Sequence, residues 1–112
     1  MSFSFAVKDD VLLVTVNEQR ATVEISSKLK EELIKKIDDG HPNILVDLSA
    51  SDFVDSSFLG ALVAGLKKAT MKSGDLKIVG LQPPVRAMFE LTRLYRIFDI
   101  FDSQSEAVSS FK

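Results

Sequence analysis

Hydrophobic and polar residues change period along this chain so as to lay out alternating strands and helices. Phe3, Phe5 and Val7 alternate with Ser4 and Ala6, the mark of a half-buried strand. Lys8-Asp9-Asp10 is a short polar turn, and Val11 to Val16 is a nearly continuous apolar run that reads as a second strand. So short a connection predicts an antiparallel hairpin. Asn17-Glu18-Gln19-Arg20 is polar and reads as a loop. A helix then begins between Thr22 and Ser27, with Thr22, Ser26 and Ser27 as competing caps. Leu29, Leu33 and Ile37 form its core face with Ile34 beside them, and Lys28, Lys30, Glu31, Glu32, Lys35 and Lys36 take the wet side. Asp39-Gly40 ends it, Gly40 being suited to the left-handed position beyond a helix C-terminus.

Ile44 to Leu48 reads as a buried third strand. The period then changes, since Leu59, Leu62, Val63 and Leu66 recur at helical spacing, and a helix is predicted from about Ser56 to Lys72, stopping at Ser73-Gly74. Leu76 to Val79 is the fourth strand. Pro84 opens a third helix with Val85, Met88, Phe89 and Thr92 on one face, closed by Arg93-Leu94-Tyr95-Arg96. Phe98 to Phe101 reads as an edge strand, and Ser103 or Ser105 starts a short helix through Ala107, Val108 and Phe111. Phe89, Tyr95, Phe98 and Phe101 are expected in the core. This β-β-α-β-α-β-α-β-α order predicts a single α/β domain whose mixed sheet has parallel inner strands and right-handed crossovers.

Composition narrows the function. The chain has 112 residues, 46% hydrophobic and 27% charged, enough for one core without crosslinks. Its net charge is −2 with no Lys/Arg block, so no nucleic-acid surface is expected. With no Cys and one His, disulfides are excluded and zinc chemistry is disfavoured. The start, Met1-Ser2-Phe3, has neither a basic signal-peptide start nor the Gly that myristoylation needs. The apolar run from Phe58 to Leu66 is about half a bilayer-spanning length. The expectation is a cytoplasmic protein without membrane insertion.

The chemistry concentrates where the third strand passes into the second long helix, at Asp52-Phe53-Val54-Asp55-Ser56-Ser57. Asp55, Ser56 or Ser57 can each cap the helix, because a short side chain accepts from the free N–H groups of the first turn. The same helix start favours negative charge, so a phosphoryl group on Ser56 is structurally tolerated. Serine catalysis lacks a base, for His41 lies before the third strand, at the opposite end of the sheet. Asp47, Asp52 and Asp55 fit an acidic capping turn better than a magnesium site. A response-regulator phosphoacceptor needs an acidic pair on an earlier strand, which Val11 to Val16 does not supply. Gly60 and Gly65 within the helix predict close approach to the sheet or to a partner.

Asp47-Leu48 followed by Phe53-Val54-Asp55-Ser56-Ser57-x-Leu59-Gly60 resembles the phosphorylation-site signature of the STAS family, most closely the small bacterial anti-sigma factor antagonists. Leu76 to Gly80, Pro84 to Phe89, Leu94 to Phe98 and Glu106-Ala107 extend the resemblance over nearly the whole chain. It implies a STAS-like sheet with about four helices packed mainly on one side. It also implies a monomeric binding protein with no enzymatic activity and no cofactor. The phosphorylation site would be Ser56, with Ser57 as the alternative. A partner surface would comprise Arg20, Thr22, Asp52, Asp55, Ser57, Phe58, Leu59 and Gly60. The implied partners are an anti-sigma factor that is also a serine kinase (a GHKL-type ATPase) and a metal-dependent serine phosphatase of the PPM type. Two departures stand out. The family commonly has Gly-x-Leu/Ile-Asp where this chain has Gln19-Arg20-Ala21-Thr22, and Gly or Ala where it has Phe58, which reads either as an exposed anchor or as packing beneath the turn. Both leave room for a divergent partner, and for a second reading, a STAS-like subunit or sensor that holds a small ligand or transporter partner and is never phosphorylated.

Overall fold

A computed structural model describes residues 1–112. Five strands, β1 (Phe3–Lys8), β2 (Val11–Val16), β4 (Asn43–Asp47), β6 (Asp75–Val79) and β7 (Ile100–Phe101), form one sheet in the order β1-β2-β4-β6-β7. The first pair is antiparallel and every other pair is parallel. The hairpin closes through Asp9 (φ 51°) and Asp10 (φ 66°), the pair of positive φ values that a two-residue type I′ turn demands.

The helices are α1 (Val23–Asp38), α2 (Ser56–Met71), α3 (Pro83–Leu91) and α4 (Gln104–Ser109). Strand alternation decides what each sheet face carries. Leu12, Val14, Val16, Ile44, Val46, Leu76 and Ile78 point into the main core with Leu29, Leu33, Leu62, Val85 and Phe89 of α1 to α3. Val11, Leu13, Leu45 and Val79 point the other way, where Ala107 and Val108 of α4 cover them. Three helices therefore lie on one side and one short helix on the other. Lys77 is buried on the α4 side, with Nζ 2.9 Å from Ser110 Oγ and 4.6 Å from the centre of the Phe111 ring. It pins the end of the chain to the sheet.

α2 lies tight against α1 and β6 because Gly65 has no side chain. A Cβ there would sit 2.7 Å from Leu33 Cδ1 and 2.9 Å from Leu76 Cδ1. This is the close approach expected of Gly65. Gly60 has open space around it and makes no such approach to the sheet.

Three expectations are corrected. The polar stretch ending in Arg20 is not all loop, because Arg20–Ala21 forms a short strand, β3, paired in parallel with β5 (Phe53–Val54) in a second small sheet. The last sheet strand spans only Ile100–Phe101; Phe98 instead packs edge-on against Phe89 at 6.0 Å. Tyr95, expected in the core with these aromatics, is 52% exposed on the turn after α3.

Candidate functional site

The β3–β5 ribbon ties the loop after β2 to the loop before α2. Arg20 pairs in register with Phe53 and Ala21 with Val54. The Asp52 N–H donates to the Gln19 carbonyl (2.9 Å) and the Asp55 N–H to that of Ala21 (3.2 Å). Ser51 Oγ donates to the Glu18 carbonyl (2.6 Å) and Gln19 Nε2 to Asp52 Oδ2 (2.7 Å). These bonds set the N-termini of α1 and α2 side by side.

Asp55 joins them. Its backbone is extended (φ −107°, ψ 175°), as an N-cap requires, and Oδ1 accepts from the Phe58 N–H at 2.9 Å. Oδ2 accepts from the Val23 N–H, the first of α1, at 2.8 Å. Thr22 occupies the N-cap position of α1 but makes no side-chain cap bond. One carboxylate thus satisfies two helix starts.

Asp55→Ala is expected to cost about 2–5 kcal/mol in urea unfolding, since an N-cap is worth about 0.5–2 and a charge-assisted bond about 1.5–3 kcal/mol. Asp55→Asn should recover much of this by keeping an acceptor. A change in Asp55→Ala below about 0.5 kcal/mol, within the range of ordinary surface substitutions, would refute the double-cap account.

With Asp55 as cap, Ser56 and Ser57 are the first two residues of α2, both exposed, and neither hydroxyl is needed by the fold. Gly60 lies one turn on from Ser56, and a Cβ built there meets nothing within 4 Å, so the solvent side of the first turn is open. Arg20, Gln19, Thr22, Glu18 and Glu24 line a polar hollow of about 510 Å³ at the mouth of the β3–β5 ribbon. The expected surface residues Arg20, Thr22, Asp52, Asp55, Ser57 and Gly60 are thereby brought together around Ser56.

Phe58 and Leu59 are not part of that surface. Phe58 is completely buried and Leu59 is 4% exposed, both in the main core, because the third and fourth positions of α2 turn inward over the sheet. The exposed aromatic is Phe53, with the Arg20 guanidinium 4.1 Å above its ring. Val23, 61% exposed at the start of α1, adds an apolar neighbour. Both carried signals in the sequence: Val23 falls outside the Leu29, Leu33, Ile37 stripe, and Phe53 alternates with the inward Val54.

Asp47, Asp52 and Asp55 do not converge on a common point, and no group of three acidic or His side chains could hold a metal ion. Asp47 is committed to the Ser49 N–H (2.8 Å) and to Gln104 Nε2 (3.3 Å). No helix is long and apolar enough to cross a membrane.

The family model described as the STAS domain matches residues 2–107. A Bordetella bronchiseptica protein named as a candidate anti-sigma factor antagonist, BtrV, is 27% identical over 105 residues, covering 94% of this chain and 90% of its own. A Thermotoga maritima protein named as a candidate anti-sigma factor antagonist is 28% identical over 111 residues, covering 98% and 97%. The crystal structure of a Thermotoga maritima protein described in the same way has a TM-score of 0.91 at 28% identity, over 97% of this chain and 93% of that one.

Proposed function

This chain belongs to the STAS domain family, and from that premise we propose that it is a partner-switching regulator of the anti-sigma factor antagonist type. It is a binding protein and a kinase substrate, not an enzyme. The unphosphorylated form binds an anti-sigma factor that is also a serine kinase of the GHKL ATPase type. That kinase moves the γ-phosphoryl group of ATP to Ser56 Oγ, releasing ADP and taking up the hydroxyl proton. The phosphorylated form lets go until a metal-dependent PPM-type phosphatase hydrolyses the ester. A monomer suffices for every step.

The observation that carries this reading is the division of labour at the start of α2. Asp55 holds the cap, so the Ser56 hydroxyl is exposed and can be esterified without removing any bond the fold uses. A phosphate there brings roughly −1.5 to −2 charges to a helix N-terminus, where free N–H groups and the dipole tolerate them. The partner, docked over Arg20, Phe53, Val23 and Gly60, meets new charge and bulk.

Incubation with the cognate kinase and ATP, followed by mass-spectrometric mapping, should place one phosphate on Ser56 and none in Ser56→Ala. Phosphate on Ser57 would keep the function and move the residue. No phosphate on either would favour the non-phosphorylated subunit reading.

A further inference from the structure

Away from Ser56, an apolar groove of about 530 Å³ runs between the C-terminal half of α2 and the turn that follows α3, lined by Val63, Leu66, Lys67, Thr70, Met71 and Ile97. The α2 positions follow the i, i+3, i+4, i+7 and i+8 spacing of one helix face, so its wall is a ridge about 12 Å long at 1.5 Å per residue. Met71 is 78% and Ile97 49% exposed. Isolated apolar side chains on a surface need no explanation, but a contiguous concave set marks a docking surface. The thioether of Met71 adapts its shape to what it meets.

The charge around the groove says what that is. Lys67 lines the groove, and Arg93 and Arg96 lie in the turn that leads into Ile97; all three are exposed, and none takes part in the protein's ion pairs, which run Lys28–Glu32, Lys68–Asp38, Lys77–Asp99, Arg86–Asp102 and Lys112–Asp9. There is no Asp or Glu between Ser56 and Gly74, and none between Leu91 and Phe98. On a chain of net charge −2, these three cations have no ion-pair partner of their own. Two copies meeting across this face would set the same cations against each other. A flat bilayer would leave the concave floor at Val63 and Leu66 unfilled.

The geometry points to a second docking site, separate from the Ser56 surface, for an amphipathic helix of a partner protein whose apolar stripe fills the groove and whose acidic flanks meet Lys67, Arg93 and Arg96. This is the helix-in-groove mode, with anchors at i, i+3, i+4 and i+7. The site requires no phosphate and stands or falls independently of the Ser56 switch. It lets the protein keep one partner while exchanging another.

The test is an NMR titration of the isotope-labelled protein with a synthetic helical peptide of about five turns, Leu and Ala on one face and Glu on the other, against the same peptide with Lys for every Glu. The Glu peptide should shift the amides of residues 63–72 and 94–97, in wild type and in Ser56→Ala alike, and the Lys peptide should not. The double variant Lys67→Glu, Arg96→Glu should raise Kd for the Glu peptide at least about tenfold, a coupling of about 1.4 kcal/mol, with an unchanged thermal midpoint. Met71→Ser should weaken it severalfold. The proposal is overturned by equal binding of both peptides, by shifts confined to other surfaces, or by no shift with either peptide at millimolar concentration. Self-association of the protein through these amides, or their protection by phosphatidylserine vesicles in place of the peptide, would also overturn it.

Discussion

Phe58→Ala is expected to lose about 3–5 kcal/mol of stability, the cost of deleting a fully buried ring whose cavity the surroundings only partly fill. Phe58 has no exposed surface and sits in the main core at the third position of α2. A loss of that size takes a fifth or more of the roughly 5–15 kcal/mol that holds a domain folded. The thermal midpoint should fall on the order of 15 °C or more. Binding to any partner should fall only through the unfolded fraction. Phe53→Ser gives the opposite pattern. Its ring is 39% exposed beneath Arg20, so stability should change by less than about 1 kcal/mol while partner affinity drops. A Phe58→Ala variant that kept its midpoint and lost only partner binding would put the aromatic anchor back where the sequence alone allowed it.

Ser56→Asp should weaken binding to the anti-sigma partner at least about fivefold, the lower end of the 5- to 150-fold range that a coupling of 1–3 kcal/mol produces. The lower end is expected because Asp brings one charge where phosphate brings about −1.5 to −2. Ser56→Ala should bind within about twofold of wild type, less than 0.5 kcal/mol. The thermal midpoint should hardly move in either variant. α2 has no acidic residue in its first turn, so one more carboxylate is favoured there by about 0.3–1 kcal/mol, opposed by the neighbouring Asp55. Part of the lost affinity should return in 1 M salt, where the screening length falls to about 3 Å. Titration calorimetry of the three proteins at two salt concentrations reads all of this. Equal affinities for all three would remove the charge switch and leave the fold assignment standing.

Much of the architecture was legible in the order of residues. The change from a strand period to a helical one between Leu48 and Leu59 placed β4, the turn and α2, and Gly40 at φ 101° ends α1 as its sequence position implied. Ser103 caps α4 from the first of the two serines expected to do so. That Arg20 and Thr22 lie on the same surface as Asp52, Ser57 and Gly60 could be anticipated only through the family resemblance, since these two are more than thirty residues from Ser56 in the chain.

Period reports burial over several residues, so long amphipathic segments announce themselves locally. A two-residue strand such as Arg20–Ala21 or Phe53–Val54 has no period to read, and its existence rests on a partner more than thirty residues away. The cap of α2 was undecided for a related reason: Asp55, Ser56 and Ser57 have similar intrinsic aptitude for the role. The adjacent start of α1 decided it, because Val23 needs an acceptor and only the Asp55 carboxylate reaches both helices at once. That choice, made by the tertiary structure, is what sets the Ser56 hydroxyl free.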